Sequence, residues 1–405
     1  MLPAACSLAS VAIADRRSGR HEVSGSRPAR GTTGLRGRLL IVAGTRPECI
    51  KLAPLIRALA GHPALTLTLV NSGQHLRAVR ESFAEFGLRC DAELEELPEL
   101  PHLAAAHQHL RTHLRALLIR YVPDLVLVQG DTLTAYSAAR AAHDTACTIA
   151  HVEAGLRTDA ALEPFPEEWF RRRIARYAHI HFAPSASAVD NLIAEGIDAH
   201  AIHHVGNTGI DSLKRLLEDP GHIRRRRHRR SNAMLATLHR RANCDRNASV
   251  VCDALTDIVR ARTGVRVLFP VHPNPRVAVT VRRRLGCHPS FDLVHPMRYA
   301  QFVESAACAA LIVSDSGGLQ EEAPHLGTRL LVPRSNTERP ECLTTGFVQL
   351  VAIERAAIVE RALSILDSPP PPALPINDHA PFGGGDAATR IVRVLEKMLA
   401  ERAFA

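Results

Sequence analysis

One pattern recurs along the chain from Arg38 onward and constrains the fold more than any other feature. A short apolar run rich in β-branched residues ends in Gly, Ser, Asn, Asp or His, and a helix-like stretch follows it. Because these runs lack strict alternation and are separated by helical lengths, they predict parallel strands that are buried on both faces. The predicted strands are Leu39–Ala43, Leu65–Val70, Leu125–Val128, Cys147–Val152, His179–Phe182, Ala233–Leu238, Val265–Pro270, Phe291–Val294, Ala310–Val313, Arg329–Val332 and Phe347–Val351.

This alternation of strands and helices extends over about 350 residues and is typical of doubly wound α/β sheets. About a dozen strands are too many for one sheet, so we predict two domains with a boundary after Val205. The predicted division is a disordered basic extension over 1–37, an N-terminal domain over 38–206, a C-terminal domain over 207–385, and a last helix over 386–405 that is expected to cross back onto the N-terminal domain.

The charge of the chain bears on its partners. The 405 residues carry a formal net charge of +9, a basic balance that can indicate a nucleic-acid partner. Residues 1–38 contribute +5 and residues 221–230 contribute +6, so the rest of the chain is slightly acidic. Basic runs of this kind are more often solvated than part of a binding site, and we predict no nucleic-acid partner. No apolar run reaches the roughly 18–20 residues of a membrane span, so we predict no membrane partner either.

The cysteines and the N-terminus bear on the compartment. Nine cysteines, an odd number, occur without a Cys-x-x-Cys pair, which predicts neither a disulfide framework nor a zinc site and favours a reducing, cytoplasmic location. The apolar segment Leu2–Ala14 precedes its arginine pair, the reverse of the order in a signal peptide. We interpret 1–37 as a disordered extension, with a start codon assigned too early as the alternative.

Polar residues cluster at the predicted carboxyl ends of the strands, where open parallel sheets bind their ligands. We expect the loops of the two halves to face each other across a cleft between the domains. These loops are Gly44–Glu48, Ser72–His75, Gln129–Thr132, His151–Gly155, His239–Arg241, His272–Pro275 and Asp315–Gly318.

Candidate anion-binding residues occur beside the first and last of these strand ends. Gly317 and Gly318 let a ligand approach the backbone where a predicted helix begins, and N–H groups at a helix start suit a phosphate. Lys51 is notable because the chain has only three lysines, and a lysine near a strand end can act as a point charge for phosphate. A tight strand–helix turn and a solvated lysine are the alternative interpretations.

Three carboxylates, Asp131, Glu153 and Glu167, lie at or near strand ends in the first half and are candidate general acids and bases. The alternative for each is a surface acid or a helix N-cap, and Asp131 in particular could cap a helix over Leu133–Ala142.

His239 begins a group of three donors suited to an anion. No metal-site, nucleophile-elbow, P-loop or dinucleotide fingerprint occurs, so we predict no metal and no cofactor.

Taken together and in order, these motifs resemble those of the bacterial UDP-N-acetylglucosamine 2-epimerases, of the non-hydrolysing type, over about residues 38–400. Every block stands in the order of that family. The matching blocks are Gly44–Leu55, Gln129–Thr132, His151–Arg157, Pro164–Glu168, Phe182–Pro184, Gly206–Asp211, Asp315–Pro324 and Thr337–Glu341.

The resemblance implies a GT-B-like α/β fold, in which two Rossmann-like domains face a central cleft that binds a UDP-sugar without metal or nicotinamide. It implies interconversion of UDP-GlcNAc and UDP-ManNAc through an enzyme-bound 2-acetamidoglucal, a supply of ManNAc-type sugars for surface polysaccharide, and a homodimer. The implied catalytic residues are Asp131, Glu153, Glu167 and His239, and the implied UDP-sugar ligands are Arg46, Lys51, Phe302, Ser316, Gly317, Gly318, Glu322 and Arg339.

The chain also departs from the family pattern. Ala242–Asp245 replaces Glu-Asn-Phe-Gly after the His-Arg-Arg group, Trp169-Phe170 replaces a small residue and an Asn, and Ala175 replaces an Asp. Arg77 stands where the family often has a Gln, a change that bears on activation by a second UDP-sugar. The supporting residues of a site can hold much of the rate, so these changes put full activity in question.

Four other functions stay open at this point. An epimerase of the same type could act on a more elaborated UDP-sugar. A hydrolysing epimerase would release ManNAc and UDP. A GT-B glycosyltransferase would use the same nucleotide cleft but would not need three carboxylates in the first half. A nucleic-acid-binding protein would depend on the arginines of 221–230.

Overall fold

The strands and helices predicted from the sequence recur in a computed structural model of the chain, which describes residues 37–158, 160, 163–219, 232–238, 244–369 and 371–404, with side chains except at 244–245 and 399–404. His239 and the arginine run of 221–230 lie outside the described residues. Of the predicted extension over 1–37, only Gly37 is described. Gly37 begins the first strand, so the prediction is wrong for that residue.

The first part of the chain alternates strands with helices, as its apolar runs predict. Its elements are β1 (Gly37–Ala43), α1 (Arg46–Leu59), β2 (Leu65–Asn71), α2 (Leu76–Glu85), β3 (Ala92–Glu93), α3 (Leu103–Tyr121), β4 (Leu125–Gln129), α4 (Leu133–Asp144), β5 (Thr148–Val152), α5 (Glu167–Tyr177), β6 (Ile180–Ala183), α6 (Ala186–Ala194), a short 3₁₀ turn (Ala199–Ala201) and β7 (Ile202–His204).

The second part repeats the alternation. Its elements are α7 (Thr208–Glu218), β8 (Ala233–Thr237), α8 (Cys244–Ala261), β9 (Arg266–Pro270), α9 (Pro275–Leu285), β10 (Phe291–Val294), α10 (Tyr299–Cys308), β11 (Leu311–Ser314), α11 (Gly317–Leu326), β12 (Arg329–Pro333), α12 (Pro340–Leu343), β13 (Val348–Val351), α13 (Arg355–Asp367) and α14 (Ala387–Phe404).

The strands form two parallel sheets. The seven-stranded sheet has the order β3-β2-β1-β4-β5-β6-β7, and the six-stranded sheet has the order β10-β9-β8-β11-β12-β13. In the first sheet β1 lies between β2 and β4, with Leu39 opposite both Leu67 and Leu125. In the second sheet β8 lies between β9 and β11 in the same way. The strand order therefore reverses beside β1 and beside β8, and these two switch points are where open α/β sheets bind ligands.

All the predicted strands are present, with ends that differ by at most two residues, and the predicted α/β class is confirmed. The predictions missed β3 and β7. β3 has only two residues, and β7 has two histidines in three residues, so neither forms an apolar run that a sequence pattern can reveal.

The chain divides into two compact units. Among the described residues, the first unit comprises those up to Val152, those within Phe170–His181 and those from Val392, and the second comprises those within Glu153–Trp169 and Phe182–Ile391. The division into 38–206 and 207–385 stays a prediction.

Each unit has an apolar interior made by strands and the helices that follow them. In the first unit, Ile41 on β1 and Leu52 and Leu55 on α1 are fully buried. In the second unit, Phe269 on β9 packs in one cluster with residues of α8 and α9 such as Leu255. Among the described residues, no helix has the length and apolar character needed to cross a membrane.

Candidate active site

The switch point of the first sheet contains a buried glutamate. Glu48, on the first turn of α1, is 1% exposed. Its Oε2 accepts a hydrogen bond from the N–H of Gly44 at 3.1 Å, and its Oε1 accepts one from the hydroxyl of Thr132 at 2.8 Å. Burial raises the pKa of Glu48 to about 7, although the hydrogen bonds to its carboxylate act in the opposite direction. One carboxylate thus joins the loops that follow β1 and β4.

A second set of hydrogen bonds joins the loop after β2 to the start of α4. The hydroxyls of Ser72 and Thr134 lie 2.7 Å apart, and the Gln74 side-chain oxygen accepts from the Thr134 hydroxyl at 2.7 Å. A Cβ atom at Gly44 would lie 1.9 Å from the Thr134 hydroxyl oxygen. Only glycine fits there, which explains the first residue of the Gly44–Leu55 block by packing alone.

Asp131 lies in the turn after β4 and forms an ion pair with Arg171 on α5. The alternative that Asp131 caps the following helix is wrong. Thr132 is the residue directly before α4, and its hydroxyl accepts from the N–H of Ala135 at 2.9 Å. The carboxylate of Asp131 is therefore not taken up by the helix end. Arg171 directly follows the altered pair Trp169-Phe170, and sequence reasoning did not pair it with Asp131.

Two predicted anion ligands lie on α1. Arg46 is its first residue and Lys51 follows in its second turn, and both side chains are half-buried. Pro47 occupies an early helix position, where its missing N–H costs nothing. The α1 helix therefore carries two cations and Glu48 beside the switch point of the first sheet.

In the second unit, Glu153 comes directly after β5. Its φ of +66° lies in the left-handed region that favours glycine, a conformation that costs on the order of 1–3 kcal/mol and is concentrated at functional sites. Its carboxylate is buried and accepts from Arg339 at 2.8 Å and from the Asn207 side chain at 3.4 Å.

Arg339 contacts two further carboxylates. Its Nε lies 2.5 Å from Glu321 and its Nη1 lies 2.6 Å from Glu338. Burial by itself would lower the pKa of Arg339, but Glu321, Glu338 and Glu153 raise it well above its ordinary value. The guanidinium therefore stays charged and binds the carboxylate of Glu153. The family resemblance also implies Arg339 as a ligand of UDP.

The ionic cluster extends one residue further. Arg334, which follows β12 and is 4% exposed, donates to Glu338 at 2.8 Å. Glu321, Glu338 and Arg334 were missed by the sequence analysis. The first two lie inside blocks that carry the resemblance, but no local pattern indicates that they meet around one guanidinium.

The two glycines at the start of α11 have different surroundings. A Cβ atom at Gly317 would lie 2.6 Å from Nη1 of Arg339, whereas a Cβ atom at Gly318 would meet no described atom within 4 Å outside its own helix and chain neighbours. Ser316 is the N-cap residue of α11, and its side chain makes no capping hydrogen bond. Gly317 is thus needed for packing, while the space beside Gly318 leaves the backbone open to a ligand.

Two other predicted ligands lie on α11 itself and on α10. Glu322 on α11 accepts a hydrogen bond from the hydroxyl of Tyr299 on α10 at 2.7 Å. Burial and the Glu322 carboxylate raise the pKa of that tyrosine well above its ordinary value, so the hydroxyl is a stable donor. Phe302, one turn along α10, is half-buried.

The third candidate carboxylate begins α5. Glu167 is half-buried, while its neighbour Glu168 is fully buried beside Arg157, with 3.9 Å between Oε1 and Nε. Arg157 also forms a paired contact with Glu195 at 2.7 and 2.8 Å. Glu168 thus links the start of α5, where Glu167 lies, to Arg157.

Within each unit, the structure brings together part of the predicted set. In the second unit Glu153, Arg339 and Gly317 adjoin, and Glu322 contacts α10. In the first unit Asp131 adjoins Arg171, and Arg46 and Lys51 share α1 with Glu48. His239 lies outside the described residues, directly beyond Leu238, the residue that follows β8 by one position. Among the described residues, no three His, Cys, Asp or Glu side chains are arranged to hold a metal ion.

Comparison with known proteins adds independent findings. The family profile described as UDP-N-acetylglucosamine 2-epimerase matches residues 57–396. The UDP-N-acetylglucosamine 2-epimerase of Escherichia coli strain K12 is 35% identical over 89% of this chain and 98% of its own length. The crystal structure of UDP-GlcNAc 2-epimerase from Neisseria meningitidis bound to UDP-GlcNAc superposes with a TM-score of 0.82 at 31% identity, over 89% of this chain and 100% of that chain. The enzyme of Methanocaldococcus jannaschii in complex with UDP-GlcNAc and UDP gives 0.79 at 30% identity, over 89% and 99%.

Proposed function

The chain belongs to the UDP-N-acetylglucosamine 2-epimerase family, a family of isomerases, and from this premise we propose that it interconverts UDP-GlcNAc and UDP-ManNAc. The observation that carries the proposal is the buried Glu153, which is held by Arg339 directly beyond β5 in a backbone conformation that is unfavourable for glutamate. Solved relatives bound to UDP-GlcNAc support the choice of substrate.

The reaction that this site would perform is an elimination followed by an addition. A carboxylate takes the proton from C2 of the sugar, the C1–O bond breaks, and its electron pair leaves with UDP, so that a C1=C2 double bond forms. UDP then adds back to C1, and C2 receives a proton from the opposite face. Two carboxylate positions are needed for the two faces, and Asp131, Glu153 and Glu167 are the candidates.

The departing UDP develops negative charge that cations and backbone N–H groups can stabilise. Arg46, Lys51 and His239 are the proposed cations. The N–H groups beside Gly318 are the proposed backbone donors, because no described atom outside its own helix and chain neighbours lies within 4 Å of the Cβ position of this residue. We also propose that the protein acts in the cytoplasm as a homodimer and supplies ManNAc-type sugars for surface polysaccharide.

The reaction in D₂O with UDP-GlcNAc tests this proposal. Proton NMR and mass spectrometry are expected to show deuterium at C2 of a sugar that is still attached to UDP. Release of free ManNAc and UDP would indicate a hydrolysing enzyme instead. A sugar that stays unlabelled on UDP would contradict proton removal at C2.

The carboxylates can be tested one at a time. Glu153→Gln and Asp131→Asn are expected to lower kcat by about 10²–10⁴-fold, the range for loss of a general acid or base. Asp124→Asn is the matched control, because Asp124 forms a surface ion pair with Arg38 in the first unit, and its kcat is expected to stay unchanged. Equal rates for the control and the two site variants would contradict the assigned roles.

A further inference from the structure

Glu48 is not among the predicted site residues, yet its carboxylate joins two loops at the switch point of the first sheet. It accepts from Gly44, directly after β1, at 3.1 Å and from Thr132, beyond β4, at 2.8 Å. We propose that Glu48 is a positioning residue that fixes the turn carrying Asp131 by tying this turn to the end of β1. The proposal rests on the proposed function, because Asp131 is one of its acid–base candidates.

The direction of the hydrogen bonds explains why a carboxylate is required. The Thr132 hydroxyl accepts from the N–H of Ala135 at 2.9 Å and gives its single hydrogen to Glu48. Gly44 also presents a hydrogen to Glu48. Both partners are therefore donors, and only a group with two acceptor oxygens satisfies them together. A glutamine would place its NH₂ group against one of these donors and lose that bond.

Burial makes the bridge difficult to replace. Glu48 is 1% exposed, so bulk water has no access to take the place of a missing oxygen. The Arg171 ion pair holds the side chain of Asp131, whereas the Glu48 bridge holds the backbone of the turn through the next residue. A displacement of about 1 Å in a reacting group can lower a rate by about 10²-fold, which sets the scale expected for loss of the bridge.

Steady-state kinetics of four variants of the full chain test the proposal. Glu48→Gln and Thr132→Val each remove one half of the bridge and are expected to lower kcat by about 10–100-fold, with the KM for UDP-GlcNAc changed less than about threefold. Thr132→Ser keeps the hydroxyl and is expected to restore kcat. His102→Ala removes an N-cap side chain of α3, which accepts from Ala105 at 3.1 Å, and kcat is expected to be unchanged because no bridge is lost.

The pH profile provides a readout that a purely structural role would not move. Burial raises the pKa of Glu48 to about 7, and proton uptake converts one acceptor oxygen into an O–H group. Wild-type kcat is therefore expected to fall as the pH drops through 7, relative to Glu48→Gln. The other titratable or charged groups at this edge are present in both proteins, so the difference between the two profiles isolates Glu48. These groups are Arg46, Cys49, Lys51, Asp131, the buried His151 and Arg171, which pairs with Asp131.

Amide hydrogen exchange tests the bridge without relying on the reaction. Glu48→Gln and Thr132→Val are expected to speed exchange at residues 130–135, and His102→Ala is expected to leave it unchanged there. A change in KM alone, identical pH profiles, or unchanged exchange in both bridge variants would overturn the proposal. Failure of the proposed function would instead appear in the wild type as absence of conversion, while exchange still decides whether Glu48 fixes the turn.

Discussion

Glu48 in the first unit and Glu153 in the second are both buried glutamates beside the end of a parallel strand, but they are held by different kinds of donor. Glu48 accepts from a backbone N–H and a hydroxyl, which are neutral groups. Glu153 accepts from Arg339, whose guanidinium also contacts Glu321 and Glu338. The two residues thus show two ways of keeping a carboxylate in a protein interior, one with neutral donors and one with a charged donor.

The difference appears in the direction of the pKa shifts. Neutral donors do not offset the loss of hydration, so burial raises the pKa of Glu48 to about 7. In the cluster around Arg339, carboxylates and guanidinium groups compensate each other, and the pKa of Arg339 is raised well above its ordinary value. A buried carboxylate with neutral donors can therefore titrate near neutral pH, whereas an ionic cluster keeps its charges and depends on all its members being present.

The largest expected effect comes from removing the central cation of the cluster. Arg339→Met would leave three buried carboxylates without it, and breaking a buried ionic group in this way costs about 3–5 kcal/mol of unfolding free energy. Urea denaturation measures the loss. Arg266→Met is the control, because the Arg266–Asp292 pair is mostly exposed at 61% and 48%, and surface pairs are worth about 0–1 kcal/mol. Similar losses of unfolding free energy in both variants would contradict the difference between the buried cluster and the surface ion pair.

A smaller effect is expected at Glu48, and it depends on pH. The pKa of Glu48 is about 7 in the folded protein against an ordinary 4.5, so the folded state binds this proton more tightly than the unfolded state does. The resulting stabilisation is complete below 4.5 and is lost as the pH rises through 7. Relative to Glu48→Gln, the wild type is expected to lose about 2–3 kcal/mol of unfolding free energy between pH 5 and pH 8.

Urea denaturation of both proteins across that pH range tests the expectation. Glutamine does not titrate, so it provides the reference for every other group in the chain. A constant difference between the two proteins would show that the pKa of Glu48 is not raised in the folded state.

The smallest effects distinguish the two glycines beside the cluster. Gly317→Ala places a Cβ atom 2.6 Å from Arg339, and such overpacking typically costs about 1–3 kcal/mol. The methyl group of Gly318→Ala meets no described atom within 4 Å outside its own helix and chain neighbours, so the substitution is expected to stabilise the fold by about 0.4–1 kcal/mol. It is also expected to weaken UDP binding, because the methyl group takes up the space proposed for a phosphate. Thermal unfolding and calorimetric titration with UDP measure the two effects, and a destabilised Gly318→Ala would contradict the distinction.

Much of the fold could be predicted because its signals are local. The apolar runs of Leu125–Val128 and Phe291–Val294 fix strands by composition and length, and the polar residues that follow them mark the strand ends. Asp131 and Glu153 were predicted as candidate acids and bases in this way. The N-cap of α4 is Thr132 and not Asp131, because the helix begins at Leu133 and the cap is the residue directly before it.

The partners of the site residues could not be predicted by the same route. Glu153 and Arg339 are 186 residues apart in the sequence, and Asp131 and Arg171 come from different elements. No local periodicity encodes which side chains meet, because this depends on how separate strands and helices pack. The role of Glu48 could not be predicted for a related reason. A charged residue next to a proline on a first helical turn is usually exposed, and the sequence does not show that Glu48 is buried.

The sequence by itself determined the parallel α/β architecture, the strand ends that carry polar residues and the membership of the epimerase family, since periodicity and ordered motifs are properties of the chain. Only the tertiary structure decided that Glu48 is surrounded by neutral donors and Glu153 by a guanidinium. The physical reason is that the energy of a buried charge depends on the dipoles and charges within a few ångströms of it, and packing of distant segments determines which groups those are.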